Sequence, residues 1–252
     1  MVEANAVYPD LRDRSVFVSG GATGIGEALV RAFAAQGSRT AFVDIDVQAG
    51  QALAAELGDA VHFAPCDITD TPAYQAAIRA AADRFGPVTA LINNAANDLR
   101  HSLEDLTPQR FDELVAVNLK HSLFAAQAVA PMMRAAGGGS IVNFGSISWM
   151  IPQGNFPSYA TSKAGIHGMT RTLAKDLGPD GVRVNTVVPG WVMTEKQRRL
   201  WLDEAGKRAI AENQLLQSPL MPEHIARMVL FLASDASAMC TAQNFTVDGG
   251  WT

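Results

Sequence analysis

Short runs of β-branched and aromatic residues alternate along this chain with longer alanine-rich runs, and that rhythm admits few folds. Strands are expected at 15–19, 39–44, 60–65, 88–93, 140–144, 182–188 and 245–247. Helices are expected at 25–36, 48–57, 72–85, 108–136, 158–177 and 222–233. Gly37, Gly58 and Gly86 stop the first three helices, and the run 137–139 stops the fourth. Strands alternating with helices of this length predict βαβ units and a parallel sheet. Right-handed crossovers put helices on both of its faces. The reading is therefore α/β: a single doubly wound, Rossmann-type domain over residues 1–252, built on a seven-stranded parallel sheet. A polar, partly helical stretch at 191–217 interrupts the rhythm after the sixth strand and is expected to act as a lid.

The turn between the first strand and first helix reads Ser19-Gly20-Gly21-Ala22-Thr23-Gly24-Ile25-Gly26. Glycine allows a tight turn and close approach of a ligand phosphate. The helix that follows offers free N–H groups and the positive end of its dipole. Turns need glycine for other reasons too, so the cluster gains its meaning from its place after a strand and before a helix. Asp44 ends the second strand, where a carboxylate can accept hydrogen bonds from adenosine ribose hydroxyls. A ribose 2′-phosphate would meet like charge there, at about 4 kcal/mol per unit pair for ~4 Å and an effective dielectric near 20. No Arg or Lys stands at 20–26 or 45–49 to offset it, so NAD is expected over NADP.

Tyr159 and Lys163 are spaced to share one helix face. A free phenol is a poor base at neutral pH. A cation close by favours the phenolate, and the tyrosine can then exchange a proton with a substrate hydroxyl. An exposed ion-spaced pair of this kind is common by chance. Ser146 changes its meaning, because it stands just past the fifth strand, at the end of a parallel sheet where ligands bind. Its hydroxyl can hold a substrate oxygen while charge develops.

Taken together, Gly20/Gly24/Gly26, the run Asn93-Asn94-Ala95-Ala96, Asn118, Ser146, Tyr159, Lys163 and Pro189-Gly190 give the chain a clear likeness. From about Leu11 onward it resembles the short-chain dehydrogenase/reductase family, in its branch of about 250 residues. The resemblance implies an oxidoreductase that moves a hydride between a nicotinamide dinucleotide and a hydroxyl or carbonyl carbon. Tyr159 would be the proton acceptor, Lys163 would lower its pKa and hold the nicotinamide ribose, and Ser146 would position the substrate oxygen. Asn118 would hold a water in a proton relay. Gly20, Gly21, Thr23, Gly24, Ile25 and Gly26 would cradle the cofactor's phosphates. Asp67 and Ile68 would flank the adenine, and Asn94 would sit beside the adenosine while bracing the sheet. Pro189, Gly190, Val192 and Thr194 would close over the nicotinamide and its phosphate. Two positions depart from the family pattern: Ser19 stands for the usual Thr and keeps the hydroxyl, and Ala96 stands for the usual Gly and adds a methyl.

Substrate residues are expected in the loops. Residues 97–101 read Asn-Asp-Leu-Arg-His, the segment before Tyr159 adds Trp149, Gln153 and Asn155, and Trp191 opens the lid. Such side chains suit a small polyhydroxylated ligand, since each buried donor or acceptor needs a partner. Asp98, Arg100 and His101 also fit a plain surface charge cluster. The runs 93–101, 143–149 and 187–194 resemble those of bacterial aldose 1-dehydrogenases. That implies oxidation of a sugar's C1 hydroxyl to an aldonolactone, with Asn97, Ser146, Trp149, Asn155, Tyr159 and Trp191 at the substrate. The alternatives are a reductase or dehydrogenase for 3-oxoacyl thioesters, steroids or other secondary alcohols, and a nucleotide-binding regulator without turnover. Asp44 and the acidic balance weigh against the first, and the retained Ser146, Tyr159 and Lys163 against the last.

Composition excludes other classes. A net charge of -5 and a pI near 5.5 lack the basic footprint of a nucleic-acid binder. Cys66 and Cys240 share no metal or redox spacing, and no metal site is expected. No apolar stretch is long enough for a membrane span. The polar first residues, MVEANAVYPDLRDR, do not read as a signal peptide, so a cytoplasmic protein is expected. The family implies a homotetramer packed through the helices at 108–136 and 158–177.

Overall fold

The computed structural model describes residues 6–252, so the first five residues of the polar N-terminal segment lie outside the described residues. Seven strands form one sheet in the order β3-β2-β1-β4-β5-β6-β7. They are β1 (Ser15–Ser19), β2 (Arg39–Asp44), β3 (Val61–Pro65), β4 (Ala90–Asn93), β5 (Gly139–Phe144), β6 (Val182–Pro189) and β7 (Asn244–Val247). Every pairing is parallel. The strands read as nearly unbroken apolar runs because helices cover both faces. Period-two alternation decides which face each side chain serves. Val16 and Val18 of β1 join Phe42, Ile92 and Val142 in one core, closed by α1 (Gly24–Ala35) and α9 (Pro222–Ala233). Phe17 points the other way, into a second core with Val43, Leu91 and Ile141. That core is closed by α3 (Thr71–Phe85), α5 (His121–Ala135) and α6 (Pro157–Leu177). The short α2 (Val47–Leu57) completes the first face, with Gly50 set against the Phe63 ring.

The long helix expected over 108–136 is broken. It consists of α4 (Pro108–Val115), a π turn at Ala116–Lys120, and α5. A π turn carries one more residue than an α turn and shifts the hydrogen-bond register, so side chains on the two sides face differently. Here it buries Asn118 completely and turns it toward the loop after β4. The periodicity of the sequence gave no sign of this, because alanine-rich stretches tolerate either register.

The expected lid contains two short helices, α7 (Glu195–Leu200) and α8 (Glu204–Asn213). Each begins with a side-chain cap: Thr194 accepts from the Gln197 N–H, and Asp203 from the Gly206 N–H. Among the described residues, no helix is long and apolar enough to cross a membrane.

Candidate active site

From β1 the chain winds outward through β2 and β3, then crosses back to place β4 beside β1. The loops leaving β1 and β4 therefore diverge and leave a crevice at the carboxyl ends of the strands, where open α/β sheets bind ligands. A cleft of about 1510 Å³ occupies that end. Gly20, Thr23, Gly24, Ile25, Gly26, Asp44, Asp67, Ile68, Asn94, Pro189, Gly190, Val192 and Thr194 all line it. Ser146, Tyr159, Lys163, Asn97 and Trp191 do so as well. Gly21 lies behind the loop, where an added Cβ would come within 2.6 Å of the Phe42 ring.

The glycine loop is shaped by positions that no other residue fits. Gly20 and Gly24 have φ of 66° and 59°, a region that costs a side chain strain. A Cβ on Gly26 would stand 1.7 Å from the Gly20 carbonyl oxygen. The Asn94 amide donates to the Ser19 and Gly20 carbonyls at 3.1 and 2.8 Å, which ties β4 to the turn. The Ser19 hydroxyl accepts from the Ala95 N–H at 3.2 Å, so serine serves there as threonine would. Asp44 accepts from the Ala22 and Asp46 N–H groups, both at 3.0 Å. A carboxylate has about four acceptor directions, so it keeps capacity for ribose hydroxyls. Thr23 precedes α1 and makes no side-chain cap, which leaves its hydroxyl and the first amides of the helix facing the cleft. Asp67 accepts from both the N–H and the hydroxyl of Thr69, which fixes the turn after β3, and Ile68 beside it is buried. A loop emptied of Cβ atoms, a helix terminus and an acidic residue beyond it form a donor and acceptor set that fits a dinucleotide.

At the other end of the cleft, α6 carries Tyr159 and Lys163 one turn apart. A buried polar chain anchors this helix to the sheet: Asn93 donates to Asn143 (2.8 Å), Asn143 to Thr170 (2.9 Å), and Thr170 pairs with Thr186 (2.8 Å). Ser146 leaves β5 and its hydroxyl accepts from the Ser148 N–H at 3.2 Å. It also lies close enough to the Tyr159 phenol to favour the phenolate. Lys163 is 2% exposed, donates to the Phe144 carbonyl at 2.8 Å, and stands 5.5 Å from the centre of the Tyr159 ring.

Burial enters the electrostatics of this pair alongside charge. Burial pushes the Tyr159 phenol above its usual value, the Asp98 carboxylate pushes it further, and only the nearby Ser146 hydroxyl opposes them. Burial also lowers Lys163, to about 8, against the pull of Asp98. Desolvation disfavours the charged form of both groups, and the ammonium spends its best hydrogen bond on a carbonyl rather than the phenolate.

The Asn118 side chain is engaged with the loop after β4. Its side-chain oxygen accepts from the Asn97 N–H at 2.8 Å and its amide donates to the Asn97 carbonyl at 3.0 Å. The side chain therefore clamps the loop after β4 rather than pointing freely into the cleft.

Two expected substrate residues stand elsewhere. Trp149 does not line the cleft; its ring meets His167 edge-on, with centroids 4.6 Å apart. Asn155 does not line it either; it takes a φ of 62° in the preceding loop and gives its carbonyl to the His101 N–H at 3.1 Å. The turn at Ile147–Trp149 rotates successive side chains, so proximity to Ser146 in sequence did not carry into the cleft. Gln153 does line it.

Other residues form the substrate end together with Trp191. Asp98 accepts from Gln197 at 2.6 Å and from Lys196, which joins the loop after β4 to α7. The Arg100 guanidinium lies 3.8 Å from the centre of the Trp201 ring and 5.2 Å from that of Phe156. Trp191 and Trp251 both line the cleft, with ring centres 6.3 Å apart, and Gly206 leaves room for the Trp191 ring. Beneath the site, the pKa of fully buried His121 is held down to about 3, by burial and then by the Lys163 charge, partly offset by the nearby Ala95 backbone. None of Lys196, Gln197, Trp201, Trp251 or His121 carried a sequence signal, since each depends on a partner far along the chain. Among the described residues, no cluster of His, Cys, Asp or Glu could hold a metal ion.

Comparison with known proteins agrees with this geometry. A family model described as "Enoyl-(Acyl carrier protein) reductase" matches residues 20–252. The chain is 48% identical to a Rhizobium meliloti (strain 1021) protein named "Probable galactose dehydrogenase", covering 99% of both chains. It is 44% identical to a D-xylose 1-dehydrogenase of Caulobacter vibrioides, over 98% of this chain and 99% of that protein. Among solved structures, a doubly substituted Serratia marcescens short-chain dehydrogenase/reductase superposes with a TM-score of 0.89 at 32% identity, over 96% of this chain and 99% of that one.

Proposed function

Because the chain belongs to the short-chain dehydrogenase/reductase family, we propose that it oxidises the anomeric carbon of a neutral aldose to an aldonolactone with NAD. The observation that carries this reading is the meeting of Ser146, Tyr159 and Lys163 in one cleft with a glycine-lined phosphate cradle. The likeness over the full chain to proteins named for galactose and xylose supports the sugar.

The sugar enters between residues 97–101 and the lid. Its C1 hydroxyl is held by the Ser146 hydroxyl and the Tyr159 Oη, which both line the cleft. Tyr159 takes the hydroxyl proton as C1 is oxidised. When bound, the oxidised nicotinamide supplies the two-electron acceptor and a positive charge. Lys163 Nζ, 5.5 Å from the phenol ring, adds a second cation, and together these offset the burial that holds the phenol protonated. Ser146 keeps the developing oxyanion hydrogen-bonded. Asn118, whose side chain fixes Asn97, would hold a water in a proton relay. The lid, bound to Asp98, keeps water from the reacting carbon.

Gly20, Thr23, Gly24, Ile25 and Gly26 would hold the pyrophosphate, with Gly21 behind them against Phe42, and Pro189, Gly190, Val192 and Thr194 the nicotinamide side. Asp67, Ile68 and Asn94 would flank the adenosine. Asp44 would accept from the ribose hydroxyls and repel a 2′-phosphate, which supports NAD over NADP. The family resemblance supports a homotetramer in the cytoplasm, which light scattering and cell fractionation would check.

The test is a panel of pentoses, hexoses and 6-deoxyhexoses incubated with NAD, and in parallel with NADP, read by absorbance of the reduced cofactor. NADH formed with at least one aldose is the expected result. No reduced cofactor above background with any sugar would overturn the reading.

A further inference from the structure

Recognition of the sugar beyond C1 needs groups that read hydroxyls, and the cleft lining holds two N–H donors, besides the Ser148 hydroxyl, whose needs the protein leaves unmet. Arg100 Nε and Trp191 Nε1 are both buried without a hydrogen-bond partner among the described residues. Both residues line the cleft. An unmet buried donor is costly, so its persistence at a ligand cleft points to an acceptor that arrives with the ligand. Guanidinium and indole N–H groups only donate, and hydroxyl oxygens can accept from both.

The setting of Arg100 is that of a held rather than a free side chain. Its flat face lies on Trp201, at the end of α7, and on Phe156. Stacking of this kind restrains a guanidinium plane and leaves its edge N–H groups available. Phe156 in turn meets Tyr159, with ring centres 5.7 Å apart. Arg100 therefore stands one phenyl ring away from the phenol, on the side of the lid. A sugar with C1 at Tyr159 would have its remaining hydroxyls in the cleft that Arg100 also lines.

We propose that Arg100 is the specificity residue of the site, donating to aldose hydroxyls distal to the anomeric carbon, with the Trp191 indole N–H as a second donor. This rests on the aldose reading above. Asp98 and Asp203 both support the Arg100 charge against the burial that opposes it, and the aldose it would meet is neutral. Because Trp201 belongs to the lid and Arg100 to the loop after β4, a sugar seated on the guanidinium also favours the closed lid.

The experiment compares wild type, Arg100→Met, Arg100→Lys and Trp191→Phe on an aldose that the wild type oxidises and on its 2-, 3- and 4-deoxy analogues. Calorimetry of the matching aldonolactone, with NADH present, gives affinity apart from turnover, and titration with NADH alone checks that each variant still folds and binds cofactor. Wild type is expected to favour the parent sugar over at least one deoxy analogue by about tenfold or more in kcat/KM. Arg100→Met is expected to lower kcat/KM for the parent about tenfold, mainly through KM, to weaken lactone binding in step, and to erase that preference. Arg100→Lys, which keeps charge but not the flat stack, should fall between them and serves if the Met variant does not fold. Trp191→Phe keeps the ring and should also raise KM. An active wild type whose Arg100 variants retain its deoxy-sugar preference and lactone affinity overturns this assignment alone. A uronate bound more tightly than its neutral aldose overturns it as well. A wild type that oxidises no aldose removes the functional reading on which it rests.

Discussion

The two ends of the cleft are built by different means. The nucleotide end is made of backbone: positive-φ glycines, a close approach of Gly26 to the Gly20 carbonyl, and the amides that open α1. The substrate end is made of side chains from distant segments, with Asp98 bonded to Gln197, Arg100 stacked on Trp201, and Trp191 beside Trp251. Steric limits on backbone dihedrals act over a few residues and leave a local mark in the sequence. Contacts between residues some hundred positions apart leave none. The contrast teaches that a nucleotide-binding end can stay fixed while a substrate end is rebuilt by exchange of loop side chains.

Changes at the two ends should separate these contributions. The largest effect belongs to the point where the ends meet. Tyr159→Phe should lower turnover at least about a hundredfold while NAD binding stays intact, read by steady-state rates beside calorimetric titration. Near-normal turnover in that variant would remove the phenol from the chemistry. At the nucleotide end, Gly26→Ala forces a methyl into the Gly20 carbonyl. Overpacking of this kind costs roughly 1–3 kcal/mol or more, so cofactor affinity and melting temperature should both fall. Also at that end, Asp44→Ala removes the like charge facing a 2′-phosphate, and the NADP-to-NAD ratio of kcat/KM should rise roughly a hundredfold. An unchanged ratio would place cofactor choice elsewhere.

Two smaller tests sharpen the contrast from beneath and beside the site. His121 has a folded pKa of about 3 against an ordinary 6.5, so the folded state binds fewer protons than the unfolded chain as pH falls below 6.5. Its contribution to stability is intact above pH 6.5 and is lost progressively as pH drops toward 3, by about 2 kcal/mol at pH 5. His121→Asn should flatten that acid limb in urea titrations at pH 7 and pH 5. An equally steep limb would assign it to other groups. Trp149→Ala, which touches the rear of the site through His167, should leave KM for the sugar unchanged within about twofold. A large rise in KM would return Trp149 to the substrate end.

Much of the fold was legible because its determinants are local or periodic. The bounds of β1, β2 and α9 coincide with their apolar runs, and α2 and α3 start and stop within a residue or so of their turn signals. Parallel pairing followed from helix length between strands, since a parallel neighbour cannot be reached by a short turn. The π turn was not legible, because Asn118 within it meets the Asn97 backbone, a partner that only the folded chain brings near.

The sequence by itself determined the glycine turn, the carboxylate at Asp44 and the shared face of Tyr159 and Lys163. Each is set by dihedral limits or by helical spacing, which act between near neighbours. Only the tertiary structure decided that burial raises the phenol despite its lysine, that Asp98 and Arg100 engage Gln197 and Trp201, and that Trp149 meets His167 outside the cleft. Desolvation and long-range contact depend on what surrounds a group in space, and that surrounding is fixed only when the whole chain has packed.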